Sequence, residues 1–183
     1  LVDHLEATQP VDGRNVFVTG ASAGAFMAQY LATRTDRIRA IAPVMGSLTA
    51  EQAEAWEPAA PLSVLVIHGV EDTVVPFAGG ETFAGPGRPR PVFLSAPENA
   101  AWWADKLGCD DEPAETDFPG YTRIAYTCPE DTGAVTFYAV LDAGHTWPGG
   151  RNRYPAFIVG NASEALDASR VIWDFFHQRR IVD

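Results

Sequence analysis

Ser22, Asp72 and His145 are the residues of this chain whose types, order and settings could together do chemistry. A serine hydroxyl is a weak nucleophile until a base takes its proton, and that base must itself be oriented by an acid. Ser22 lies in Gly20-Ala21-Ser22-Ala23-Gly24, between a β-prone stretch at 15–19 and a segment where Phe26, Met27, Tyr30 and Leu31 recur at helical spacing. Glycines two residues to either side of a serine at a strand-to-helix junction mark a nucleophile elbow, a turn too sharp for side chains at those positions. The start of the following helix carries partial positive charge that favours a developing oxyanion, and the backbone N–H of Ala23 would be one donor to it. The competing reading is a glycine-bounded turn holding an ordinary serine.

Asp72 follows the apolar run 62–67 in His68-Gly69-Val70-Glu71-Asp72-Thr73, and His145 follows the β-prone run 135–141 in Asp142-Ala143-Gly144-His145-Thr146-Trp147-Pro148-Gly149-Gly150. Serine, then acid, then histidine, each in a loop after a strand, is the order of the α/β-hydrolase arrangement. The intervals leave room for one or two strand–helix units each. Of the four histidines, His4 precedes the serine, His177 lies in the terminal helix, and His68 reads as a hydrogen-bonding turn residue. His145 is therefore the candidate base, against a structural turn histidine. Glu71 competes with Asp72 for the acid, whereas Asp142 sits too near His145.

The elements that must position these residues are legible in pattern. A short helix carrying Leu1, Val2 and Leu5 on one face should end before Pro10 and the Asp12-Gly13 turn. The near-continuous apolar stretch 38–44 suits a parallel strand buried on both faces. Thr49-Ala50-Glu51-Gln52 and Ser95-Ala96-Pro97-Glu98 have the form of capping boxes. The second opens a helix with Ala100, Trp103 and Leu107 inward and Gly108 at its end. Residues 78–91, rich in Gly and Pro, predict a surface loop. Strands are expected at 121–127 and 134–141. A last helix opened by Asn161 and Ser163 would turn Ala165, Leu166, Ser169, Ile172, Trp173 and Phe176 inward. Asn161-Ala162-Ser163 is formally a glycosylation sequon, but a helix cap is the preferred reading. Alternating strands and helices imply a mostly parallel α/β sheet covered on both faces, with its site beyond the carboxyl ends of the strands.

At 183 residues and 46% hydrophobic the chain can bury a good core, and residues 1–183 read as a single domain. A net charge of −11, with no run among its 13 Lys and Arg, argues against a nucleic-acid partner. No apolar run is long enough for a membrane span, and the amino terminus has no signal-peptide pattern. No His or Cys has metal-ligand spacing to another, so no metal is expected. Cys109 and Cys128 flank an acidic, proline-bearing excursion and could be a disulfide or two reduced thiols.

At these same residues the chain resembles the α/β-hydrolase esterases grouped as polyhydroxybutyrate depolymerases and feruloyl esterases. The resemblance rests on Val16 to Gly24, on Ile67-His68-Gly69 with Asp72 and Val75-Pro76, on Trp102-Trp103 to Leu107-Gly108-Cys109, and on Gly144-His145-Thr146-Trp147-Pro148-Gly149. It spans nearly the whole chain, and Trp-Pro-Gly after the histidine is its most specific part. It implies Ser22 as nucleophile, Asp72 as acid, His145 as base, a Cys109–Cys128 disulfide, no cofactor, and secretion or attachment at the cell surface. The substrate would be a small or polymeric ester of a hydroxyacid or of a plant cell-wall phenolic. Gly24-Ala25 departs from relatives with a second glycine there, and the family's amino-terminal part, with its oxyanion-hole turn, has no counterpart ahead of residue 15. The chain is accordingly expected to be the carboxyl-terminal part of a longer hydrolase whose early strands are missing. Trp147, Phe77 and Trp102 are candidate substrate contacts, with core packing as the alternative. A serine peptidase of the same fold and a non-catalytic polymer-binding module are the rival functions.

Overall fold

The structure, a computed structural model, describes residues 1–82, 91–151 and 154–182. A six-stranded sheet is built from β1 (Val16–Ala21), β2 (Ile38–Val44), β3 (Ser63–Gly69), β6 (Ala114–Phe118), β7 (Tyr121–Tyr126) and β8 (Val135–Val140), in the order β1-β2-β3-β8-β7-β6. The first four in that order run parallel, and β7 and β6 add antiparallel. A two-stranded ribbon of β4 (Gly80–Glu81) and β5 (Val92–Phe93) stands apart. Of the loop predicted at 78–91, residues 83–90 lie outside the described residues.

Helices cover both faces, because β2 is buried at every position but Arg39 and β3 is buried throughout, so both must be covered on two sides. On one face α2 (Ala23–Ala32) and α4 (Ala96–Lys106) pack through Ala28, Ala32, Ala100 and Trp103 on Ile41, Val64, Val66 and Phe137. On the other, α6 (Ala168–His177) packs Ile172, Phe175 and Phe176 on Ala42, Leu65, Ile67 and Val140. α1 (Val2–Thr8) contributes no buried residue and is tied down by Asp3 and Glu6 to Arg37.

The capping boxes form as expected. Thr49 with Gln52 opens α3 (Ala50–Ala55), and Ser95 with Glu98 opens α4, which ends at Gly108 with φ +69°. Three expectations change. The face α2 buries is Ala25, Ala28, Gln29 and Ala32, while Met27 is 55% exposed and Tyr30 rests on Trp56. Small residues let this helix lie close on its strands, and the buried Gln29 Oε1 accepts a 2.9 Å bond from the Trp103 indole.

The last helix begins at Ala168, capped by Asp167, rather than at Asn161 or Ser163. Its buried face turns through Phe175, leaving Trp173 67% exposed. The segment ahead of it holds instead the short α5 (Ala156–Val159), which the sequence pattern did not mark. The acidic excursion after Cys109 contains β6, exposed at all five positions. Its carboxylates blunt a sheet edge that would otherwise template aggregation.

Cys109, just past α4, is bonded to Cys128, just past β7, closing a loop of sequence separation 19 around β6 and β7. Both sulfurs pack against the core under α4. In the chain-entropy account, a loop of this size contributes roughly 3 kcal/mol through the unfolded state. Replacing both cysteines by serine should lower the urea unfolding free energy by about that amount. An unchanged midpoint would show that the bridge does not restrain the unfolded chain.

Candidate active site

Ser22 sits at the junction of β1 and α2 with φ 54° and ψ −113°, a conformation that L-residues avoid. Its amide donates to Val44 O at 2.9 Å, and its carbonyl accepts from Ala25 and Phe26, so both flanking elements hold the strained residue in place. The crowding that demands glycine acts at Gly20, where a Cβ would stand 2.8 Å from Gly24 Cα. At Gly24 a Cβ would meet nothing within 4 Å, so the expected need for glycine on both sides is corrected to one side. Ala23 is the first residue of α2, and its N–H has no acceptor within the helix.

Asp72, in the loop after β3, has a fully buried side chain. Its Oδ1 accepts from the amides of Val74 and Val75 at 2.9 Å each, an Asx-type turn that fixes the carboxylate. Its Oδ2 meets His145 Nδ1 at 2.8 Å and His68 Nε2 at 3.4 Å. Burial pushes the Asp72 pKa up, but the bonds from His145 and His68 outweigh it and hold the group down at about 2. An ionised carboxylate only accepts, so His145 Nδ1 carries the proton and Nε2 is left as the basic nitrogen.

The acid role has one geometric claimant. Glu71 and Asp142 are exposed, and Asp72 is the carboxylate bonded to His145 among the described residues. His68 belongs to β3 rather than to the turn, although it bonds that turn. Its Nε2 faces two acceptors, Val75 O at 2.9 Å and Asp72, so it donates, and Nδ1 is buried without a partner.

The loop bearing His145 is wedged by backbone contacts that allow no side chain. A Cβ at Gly69 would stand 2.2 Å from Ala143 O, and one at Gly144 would stand 2.4 Å from Val159 O. Asn161 O accepts from Gly144 N at 3.0 Å and Thr146 Oγ1 at 2.8 Å, and Ser163 O accepts from Gly149 N at 2.8 Å. The sequon segment therefore holds the histidine loop and does not cap a helix.

Ser22 and His145 open into one cleft of about 520 Å³ with Met45, Val74, Trp147 and Ile158 among its apolar walls. Trp147 lines it, its indole donating to Ser169 Oγ at 3.1 Å. Phe77 and Trp102 are not brought there. Phe77 packs on Phe137 and against His68, and Trp102 lies on α4 with its Nε1 bonded to Ala53 O. Pattern reading missed Met45, Val74 and Ile158. The signal at Met45 is backbone, φ 56° directly after β2, and is not visible in residue type. Among the described residues no group of three or more His, Cys, Asp or Glu is placed to hold a metal ion.

No protein-family model matches the chain. Curated relatives do. "Putative esterase NocK" of Nocardia uniformis subsp. tsuyamanensis is 31% identical over 96% of this chain and 54% of its own length. "Feruloyl esterase B" of Piromyces equi is 32% identical over 74% of this chain and 25% of its own length. "Probable feruloyl esterase C" of Aspergillus niger is 28% identical over 80% of this chain and 53% of its own length. The chain thus spans about half the length, or less, of the curated relatives it matches.

Two outcomes follow from the geometry. Gly20→Ala should distort the junction and lower thermal stability, whereas Gly24→Ala should fold with an unchanged melting temperature; equal losses would contradict the crowding. Asp72, depressed to about 2 from an unfolded value near 3.9, contributes stability that is complete above pH ~4 and lost as pH falls through about 2. Urea midpoints measured between those limits should therefore drop less steeply in Asp72→Asn than in the unmodified protein.

Proposed function

The chain belongs to the esterase family of these relatives, and from that premise we propose that it hydrolyses carboxylic esters with Ser22 as nucleophile, His145 as base and Asp72 as acid. The observation that carries this reading is the buried 2.8 Å contact of Asp72 with His145, whose imidazole shares a cleft with a strained, junction-held serine. In the first half-reaction Ser22 Oγ attacks the ester carbonyl carbon while His145 Nε2 takes its proton. The tetrahedral oxyanion develops against the amino end of α2, where the Ala23 N–H donates to it. Collapse breaks the carbon–oxygen bond to the alcohol, which leaves with the proton from His145. Water then attacks the acyl-enzyme with His145 again as base, and the carboxylic acid departs as Ser22 recovers its proton. Asp72, ionised throughout, holds the tautomer and stabilises the transient imidazolium. These steps need no cofactor.

The relatives' names and the apolar cleft together favour esters with a bulky acyl group, feruloyl esters of plant polysaccharides before polyhydroxyalkanoates. Trp147, beside the base, offers a face on which an aromatic acyl group could stack. Secretion or cell-surface attachment is the location that a disulfide favours. Among the described residues no helix is long and apolar enough to cross a membrane.

Ser22→Ala and His145→Ala should each cost on the order of 10⁴-fold or more in ester turnover while leaving the melting temperature in place. Asp72→Asn should be about as severe, because an amide permits the wrong imidazole tautomer. A fluorophosphonate probe should label the unmodified protein at Ser22 and fail on both alanine variants. Methyl ferulate, a short-chain nitrophenyl ester and a hydroxybutyrate oligomer then rank the acyl groups. Cleavage of peptides without esters would indicate a peptidase, and an unlabelled protein that binds polymer would indicate a binding module.

A further inference from the structure

Arg123 on β7 and Arg179, two residues past the end of α6, line a pocket of about 230 Å³ with Thr136, Tyr138 and Gln178. The pocket reaches the sheet at the paired residues Leu65 and Thr136, near the amino ends of β3 and β8. Ser22 and His145 lie beyond the carboxyl ends of their strands, and the two cavities share no lining residue.

The charges here are unbalanced in a protein that is otherwise rich in acid, with 24 Asp and Glu against 13 Lys and Arg. None of the ion pairs made among the described residues involves Arg123 or Arg179. Asp174 borders the pocket, but its Oδ2 is bonded to Arg170 at 2.8 Å. Glu130 and Asp131 line a neighbouring cavity that Arg179 also borders, with Arg39, and neither forms an ion pair with it.

Arg179 is held in place but not satisfied. Its guanidinium stacks on Phe175 at 3.6 Å and Nη1 donates to Phe175 O at 3.0 Å, yet Nε is buried with no partner. Burial, and then the charge of Arg123, push its pKa down, which means that the cation is penalised where it stands. Burial raises the Tyr138 pKa, and the nearby charge of Arg123 opposes that rise. Two like charges without an ion-pair partner among the described residues border one pocket, which an acceptor-only ligand would complete. Guanidinium groups meet oxyanions through paired, charge-assisted bonds, and Thr136, Tyr138 and Gln178 add neutral donors.

We propose that this pocket is a binding site for a small oxyanion, a phosphate or a carboxylate, held between Arg123 and Arg179. Occupancy would tie the carboxyl end of α6 to the antiparallel half of the sheet.

The test is titration calorimetry of the whole protein with inorganic phosphate at constant ionic strength, where one saturable site is expected; no saturable heat would overturn the proposal. Thermal melts should rise by about 3 to 6 °C at roughly ten times the measured dissociation constant. Arg123→Gln, which leaves the Phe175 stacking untouched, should lose that rise, and so should Arg179→Gln. Ser22→Ala should keep it, because the cleft is elsewhere. An equal rise in Arg123→Gln would overturn the assignment even if Arg179→Gln failed to fold. Acetate as competitor separates the sources: displacement of phosphate marks general oxyanion recognition, and no displacement narrows the ligand to phosphate.

Discussion

The buried carboxylate of Asp72 is the constraint on which the candidate site depends. A charge removed from water is tolerable only if it is paired and fully hydrogen-bonded. Asp72 achieves this with two backbone amides from its own turn and two imidazoles from β3 and from the loop after β8. The same bonds that make the group stable where it is also fix the ring of His145. Satisfying the acid and orienting the base are one arrangement, so the turn after β3 and the loop after β8 cannot move independently.

That arrangement needs backbones to approach more closely than side chains permit. Gly69 and Gly144 stand where any Cβ would enter a carbonyl, and Gly20 stands where one would enter the start of α2. Ser22 and Met45, both at positive φ after adjacent parallel strands, carry strain on the cleft side of the sheet. The alanine-lined face of α2, the nearly fully buried β2 and the fully buried β3 hold those residues there. Rigidity in the scaffold thus supports unfavourable backbone at the site.

The two ends of the sheet differ in how their charges are met. At the carboxyl ends an acid is surrounded by donors from this chain. Toward the amino ends Arg123 and Arg179 line one pocket, and neither forms an ion pair among the described residues. The reach of α6 joins them, since its first turn meets the histidine loop through Ser169 and Trp147 while Arg179 lies beyond its last turn.

Much of this was legible in the residues themselves, because local chemistry dictates it. β2 and β3 announce burial by near-continuous apolar character, Thr49 and Ser95 announce capped helices, and the order of Ser22, Asp72 and His145 after three strands is a matter of chain connectivity. The rest depended on which surfaces meet. Met27 and Trp173 have core residue types but face outward, because Ala28 and Phe175 occupy the packed sides of their helices. β6 carries no apolar signal, since its strand is made by pairing with β7 alone. Phe77 and Trp102 fill space away from the cleft, Met45 and Val74 enter it from loops whose course no periodicity encodes, and Ile158 enters it from the short α5. Residue types in order determined the candidate chemistry and the strands that carry it; contacts between segments far apart in the chain decided its walls, its buried acid and the pairing of its arginines, because close packing is a property of surfaces that meet only after folding.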